Sequence, residues 1–345
     1  FPVDIVQDVV RDEKMGLDMT GFDRAMDAQR ARSRSVAAFD SISEAYKNLS
    51  AQGIRPKFVG YDSLSGDSKI LVMVADGEEI TEAVEGQKIE IVTESTPFYA
   101  ESGGQVGDSG TIVGENLELA VLDTVKDPTG LIIHMGLVIS GSVRKGDAVS
   151  LKVDGAKREA TALNHTATHI LHAVLRRVLG DHVKQAGSRV APDRLRFDFT
   201  HFSLIDTDTL ETIEDLVNLR IRQNIPTEIV EMDAEDAFKS GATALFEEKY
   251  GDRVRVVSLT EFSRELCGGT HTARTGNIGL FKIVAESSIA SGVRRIEALT
   301  GESALAFIQQ TTRVLNNTAH LLKDKPRAVP ARVKKMQTDI KSFEK

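Results

Sequence analysis

Asn164-His165-Thr166-Ala167-Thr168-His169-Ile170-Leu171-His172 lies inside an apolar-periodic run over residues 160–179 that stops at Gly180. Glycine is the usual residue just past a helix end, so the run predicts a helix. Residues four apart stack on one helical face. His165 and His169 therefore point the same way, about one turn apart, as two imidazoles must when they share a metal. Far downstream, Cys267-Gly268-Gly269-Thr270-His271 carries a thiolate and a third imidazole on a glycine-rich turn. Three imidazoles and one thiolate suit zinc. Each half has a plainer alternative: polar-face histidines on an amphipathic helix, and a buried, inert cysteine in a turn. Cys267 is the only cysteine among 345 residues and sits between Leu266 and two glycines. The two elements together favour zinc over the plainer readings.

The length allows two or three domains with a sizeable core. With 41% apolar and 27% charged residues, the composition is that of a soluble globular chain. A single cysteine excludes an internal disulfide and fits a reducing compartment, so a cytoplasmic location is expected. The longest apolar run, 131–139, is interrupted by His134 and is too short to span a bilayer. No basic-then-apolar leader opens the sequence, and no membrane association is expected. The net charge of -8 argues against a generic nucleic-acid glue but leaves room for a local basic surface. The chain begins with Phe1-Pro2 rather than Met, as an excised fragment or a processed start would.

Residues 1–53 are helical in pattern, with Asp4 as a cap and Gly16 as a break. Arg30, Arg32 and Arg34 could meet phosphates, although a solvated helix face is the plainer reading. Gly53 and Pro56 mark a boundary. Beyond it, residues 70–74, 88–92, 117–125, 131–139 and 148–153 read as strands of a small antiparallel barrel or sandwich. Among them lie Phe98-Tyr99-Ala100-Glu101-Ser102-Gly103-Gly104-Gln105 and Gly107-Asp108-Ser109-Gly110. These glycines fit either a wide hairpin turn or a backbone that approaches a ligand and presents amide N–H groups. After the histidine helix, residues 182–190 and 195–199 read as a hairpin, with Leu195, Phe197 and Phe199 on its buried face. Asp208 and Glu211 resemble a capping pair for a helix with Leu210, Ile213, Leu216 and Val217 inward, ended by Pro226. Strands are expected at 227–232, 253–259, 278–284 and 294–299, and a helix at 233–250. Helices should cover one side of a sheet. Residues 302–345 have Leu305, Ile308, Thr312, Leu315 and Ala319 at helical spacing and fit a helical spacer or coiled-coil arm broken by Pro326 and Pro330.

The combination of His-Thr-Ala-Thr-His at 165–169, Gln185-Ala186-Gly187-Ser188, Cys267-Gly268-Gly269-Thr270-His271 and the Phe98–Gln105 stretch resembles the editing region of alanyl-tRNA synthetases. The resemblance covers nearly the whole chain. Freestanding alanyl editing proteins share the barrel and the zinc motifs, and threonyl-tRNA synthetases carry a related editing domain. The helical front end favours the full synthetase as parent. The implied fold class is α+β. It comprises a helical tRNA-recognition segment (1–55), a small antiparallel β-barrel (57–153), a zinc-bearing α+β editing domain (156–301) and a helical linker or coiled-coil arm (302–345). Nothing resembles the ATP-dependent aminoacylation site, so that activity is expected to be absent. Any oligomerisation is expected to rest with a C-terminal domain outside this chain.

The resemblance implies hydrolysis of the ester joining a wrong amino acid, Ser or Gly, to the 3′ end of tRNA(Ala). It makes Zn2+ the cofactor, with His165, His169, Cys267 and His271 as ligands. Gln185 matches a residue implicated in the reaction. Thr168, Gly103 and Gly104 match positions near the aminoacyl end, and Thr168 and Cys267 join Gln185 as candidate catalytic residues. Zinc can polarise an ester carbonyl or lower the pKa of a bound water. Four protein ligands normally mean a closed structural site, whereas catalytic zinc keeps an open position. The shell must then expand, or one ligand must give way, or zinc holds the pocket and positions the substrate. A non-catalytic tRNA-binding module with structural zinc is the alternative. A zinc peptidase is weakest, because Thr166 stands where H-E-x-x-H places Glu. His172 reads as a neighbour of the ligands or a core residue. His182 and His201 read as surface or hairpin residues.

Overall fold

The computed structural model describes residues 43–243 and 252–343, together with Gly21. The basic triplet Arg30, Arg32 and Arg34 and most of the expected front-end helices lie outside the described residues. The first described helix is α1 (Glu44–Ala51), capped by the Ser43 side chain.

Six strands close a ring: β2 (Ser65–Ala75), β5 (Lys88–Thr93), β9 (Ile132–Arg144), β8 (Leu117–Lys126), β7 (Gly110–Gly114) and β10 (Ala148–Val153), which returns to pair with β2. Outside the ring, β1 (Lys57–Phe58) pairs with β6 (Ser95–Thr96), β3 (Glu78–Ile80) with β2, and β4 (Glu82–Val84) with β9. Every pairing in the ring is antiparallel. Burial alternates along β10, with Val149, Leu151 and Val153 inside and Ala148, Ser150 and Lys152 outside. That period of two is what puts one face of each strand into the barrel core. Closure leaves no free edge within the ring. The expected strands are present, but β7 was not anticipated. It is five residues long and bracketed by glycines, with Ile112 as its one buried residue, so its pattern is too short to stand out.

The histidine-bearing helix, α2, runs Gly155–Leu179. It starts earlier than the apolar periodicity indicates, because the Asp154 side chain accepts from the Lys157 amide and caps it there. Gly180 terminates it with φ +115°. Two strands follow, β11 (Gln185–Val190) and β12 (Leu195–Thr200), then helix α3 (Thr207–Arg222), and later β16 (Phe281–Ala290) and β17 (Val293–Thr300). The four strands form one antiparallel sheet in the order β11-β12-β17-β16. Phe197 and Phe199 are fully buried, as the alternation predicts, against Ile170, Val174, Ile213 and Val217 of the two helices. Each buried aromatic contributes roughly 1.5–3 kcal/mol. A separate small sheet holds β13 (Glu228–Asp233), β14 (Arg253–Leu259) and β15 (Ser263–Leu266). The strands therefore divide between two sheets, and helices cover one face of the larger.

Three local readings are corrected. The cap of α3 is Asp206, which accepts from the Thr209 amide, rather than Asp208 with Glu211. Of the helix expected over 233–250, the described residues form one helix, Ala234–Lys239, and Gly241 at φ +82° ends its turn; residues 244–251 lie outside the described residues. Beyond Gly301 the chain is helical over Gly301–Leu321 and Val329–Phe343. Pro326 interrupts it, whereas Pro330 sits in the first turn of the last helix, where its missing N–H is harmless. Leu305, Ile308 and Leu315 are exposed on the first of these helices. Among the described residues no helix is long and apolar enough to cross a membrane.

Candidate metal centre and adjoining cavity

The β14–β15 hairpin ends at Leu266 and delivers Cys267-Gly268-Gly269-Thr270-His271 against α2. One ligand atom from each of His165, His169, Cys267 and His271 falls within 4.8 Å of all the others. Cys267 Sγ lies 3.4 Å from His165 Nε2 and 3.3 Å from His271 Nε2. A tetrahedral shell with ligand bonds of about 2.0–2.3 Å puts its donors roughly 3.3–3.8 Å apart, so these spacings fit a metal. His169 Nε2 is buried and has no protein partner among the described residues. The four residues could therefore hold a metal ion.

The other ring nitrogen of each histidine is held in place. His165 Nδ1 donates to Gln105 Oε1 at 2.8 Å. That oxygen also accepts from the Thr270 amide at 2.9 Å, while Gln105 Nε2 donates to Thr270 Oγ1 at 2.9 Å. His169 Nδ1 donates to Glu265. His271 Nδ1 lies 3.3 Å from Thr166 Oγ1. Such partners fix ring orientation and tautomer, and they raise ligand basicity. Gly269 makes the approach possible: a Cβ there would lie 2.1 Å from His165 Cε1. Arg255 Nη1 donates to the carbonyls of Cys267 and Gly269 at 2.9 and 2.8 Å, and Tyr61 donates to Gly268 O, with the Arg255 guanidinium stacked over the Tyr61 ring.

The electrostatics follow from burial and these pairs. Burial would lower the His169 pKa, but the Glu265 carboxylate and Cys267 together outweigh it and push it up to about 10. Burial would raise Glu265, yet His169 and His172 together pull it down to about 2. Burial would likewise raise the Cys267 thiol, and facing His165 and His271 hold it well below the ordinary range. Burial drives His271 down to about 3. The buried Cys267 thiolate and Glu265 carboxylate draw positive charge, here onto His169; a metal cation held by neutral imidazoles would meet the same demand.

The stretch Phe98–Gln105 holds a tight turn rather than a wide hairpin. Ser102 and Gln105 close a tight turn through mutual backbone bonds of 3.1 and 3.0 Å. The turn leans on β11: Val190 N donates to Gly104 O at 2.7 Å, and a Cβ on Gly104 would meet Ser188 O at 2.5 Å. Asp108 anchors the loop in a buried ion pair with Arg158 of α2, which also donates to Gly60 O and Pro97 O at 2.7 and 2.8 Å. This is how the barrel carries Gln105 to the ligand cluster.

A cavity of about 260 Å³ adjoins the cluster. Gly103, Thr168 and Gln185 all line it, with His165, His169 and Cys267; Gly104 does not and serves instead as a backbone contact for β11. The Thr168 hydroxyl donates to Asn164 O at 2.8 Å, the helical back-bond that threonine often makes. His172 meets Glu265 at 2.9 Å and stands outside the four-residue group. His182 and His201 pair with each other at 2.9 Å and do not line the cavity. Gln105, Glu265 and Thr166 had no assigned role from sequence. The available signal was the period of two in β15, which places the charged Glu265 on the same side as Cys267.

The front of the chain, residues 1–157, matches the family model for class II (A) tRNA synthetases, and residues 254–297 match the second additional domain of threonyl and alanyl tRNA synthetases. Alanine–tRNA ligases from Desulfosudis oleivorans, Saccharophagus degradans and Bordetella petrii are 57%, 46% and 44% identical to the whole of it. The chain belongs to the alanine–tRNA ligase family. It spans 39% of the length of each of these ligases. The two matched regions of this ligase-family chain hold Gln105 and Asp108 on one side and Glu265, Cys267 and His271 on the other.

Proposed function

We propose that the chain hydrolyses the ester linking a misattached Ser or Gly to the 3′ end of tRNA(Ala), at a zinc site formed by His165, His169, Cys267 and His271. The observation that carries this reading is the convergence of four zinc-type donors beside a small cavity lined by Gly103, Thr168 and Gln185. Zinc bound there would supply Lewis-acid polarisation of the ester carbonyl. The chain's own residues do the rest. Gln105, Glu265 and Thr166 hold the imidazoles in register. Gln185 offers an amide that can donate to or accept from the reacting ester. Gly103 lets the backbone come close to the aminoacyl end. The cavity is at the small end of ligand sites, as a single small amino acid on a ribose requires.

Discrimination explains why such a site exists. A pocket sized for alanine cannot strongly exclude glycine and struggles with serine, which adds one hydroxyl, so a second hydrolytic sieve is needed. In this reading residues 57–153 supply the barrel that positions Gln105. Residues 156–301 supply the chemistry, residues 1–55 help to grip tRNA, and residues 302–345 lead toward the rest of the ligase in the cytoplasm.

One observation favours a second reading. Four donors already in mutual reach make a closed shell, which is the mark of structural zinc. The chain would then dock tRNA without reacting. Incubation with Ser-tRNA(Ala), following serine release, separates the two: release well above the spontaneous rate supports hydrolysis. A rate equal to the spontaneous one, with zinc bound, supports docking alone.

A further inference from the structure

Glu265 holds two histidines, and only one of them belongs to the four-donor group. Its Oε2 accepts from His169 Nδ1 and its Oε1 from His172 Nδ1. A carboxylate only accepts, so each ring carries a proton on Nδ1. In its neutral form His172 then has a lone pair on Nε2. That atom is buried and has no hydrogen-bond partner among the described residues. Buried polar atoms almost always have a partner, so an orphan calls for an explanation. The same orphaning of His169 Nε2 is explained by the facing donors. His172 has no such donors, yet its ring lines the cavity beside Thr168 and Gln185, 5.3 Å between centroids from Phe197. Thr168, one turn away on the same wall, has committed its hydroxyl hydrogen to Asn164 O and can only accept. The helix wall of the cavity therefore offers acceptors. An aminoacyl ester offers donors: an α-ammonium in every case, and a hydroxyl in serine.

Building on the deacylase reading of this cavity, we propose that His172 is a substrate-binding residue. Its Nε2 accepts a hydrogen bond from an N–H or O–H of the aminoacyl group, and Glu265 keeps the ring in the accepting tautomer. His172 would then be a specificity element that neither the metal motif nor the glycine turn contains.

The test is binding without turnover. His172→Asn keeps an N–H near the Nδ1 position, facing Glu265, and deletes the atom at Nε2. The zinc-loaded chain and this variant are titrated by calorimetry with 3′-deoxy-3′-(L-serylamino)adenosine and with its glycyl counterpart, whose amides resist hydrolysis. Zinc content should be unchanged. Kd should rise about tenfold for both analogues if the α-ammonium is the donor, and for the seryl analogue alone if the hydroxyl is. An unchanged Kd for both would overturn the proposal and leave Nε2 to a bound water. Loss of zinc in the variant would also overturn it, by showing a role confined to the ligand frame. Should the variant not fold, the wild-type 15N signal of His172 Nε2 decides: it should move upfield on adding analogue, and an unmoved signal overturns the proposal. If the wild type binds an analogue but releases no serine from Ser-tRNA(Ala), hydrolysis fails while the His172 assignment stands. If it binds neither analogue, both fall.

Discussion

The barrel and the histidine helix both bury imidazoles, and they treat them in opposite ways. In the barrel His134 is completely buried, with Nδ1 donating to Ile91 O at 2.9 Å and Nε2 accepting from Thr96 Oγ1 at 2.8 Å. Thr96 in turn accepts from the Phe98 amide at 3.0 Å. Every polar atom of that ring is used by the protein, and burial lowers its pKa to about 4. On α2 each histidine gives Nδ1 to an oxygen of the protein, His165 to Gln105 and His169 and His172 to Glu265. The Nε2 atoms of His165 and His271 face Cys267 Sγ, and those of His169 and His172 have no partner among the described residues. A satisfied buried histidine is a packing residue. A set satisfied on one nitrogen and convergent on the other is a site that requires something from outside.

The largest expected departure comes from the convergent set. Cys267→Ala removes the only thiolate. Serine release should fall at least a hundredfold, about 2.7 kcal/mol, with loss of bound zinc; retained activity without the thiolate would put the comparison in doubt. Glu265→Gln leaves the four donors in place but weakens the grip on His169 and His172. Zinc affinity, measured by competition with a chelator, should drop roughly ten- to a hundredfold. An unaffected affinity would show that the shared carboxylate does not tune the ligand.

On the barrel side the test is pH. The folded pKa of His134, about 4, lies below its ordinary value of 6.5, so the unfolded chain binds the proton first. The stability this provides is present above pH 6.5 and is lost as pH falls toward 4. The His134 contribution between pH 8 and pH 5 should be about 2 kcal/mol. Denaturation of the whole chain at the two pH values, compared with a His134→Asn variant, should show the variant's stability falling less by that amount. Equal falls would mean that His134 takes up a proton in the fold as readily as outside it. The smallest effect concerns Thr168. Its hydroxyl can still accept from a seryl hydroxyl, so Thr168→Val should narrow the seryl-to-alanyl ratio of kcat/KM by roughly tenfold, about 1.4 kcal/mol, with zinc retained. An unchanged ratio would pass the reading of the hydroxyl to another group.

Sequence made visible whatever rests on local periodicity. The spacing of His165 and His169 on a helix ended by Gly180, the alternation of Leu195, Phe197 and Phe199, and the longer barrel strands are all consequences of periods of 3.6 and 2. The group of His165, His169, Cys267 and His271 was legible because metal-type donors recur there at metal-like spacing. What stayed hidden depends on contacts between distant segments. Gln105 reaches His165 across 60 residues and Thr270 across 165, and no local pattern marks it. Asp206 displaced Asp208 as the cap because either aspartate can start a helix, and the Asp206–Thr209 geometry decides. The expected helix over 233–250 shows only a short described piece, since Gly241 ends its turn.

The convergent donor set is tested most directly by metal analysis of the purified chain, isolated without chelator or added metal. Close to one zinc per chain is expected. A chain that is folded and free of zinc would contradict it.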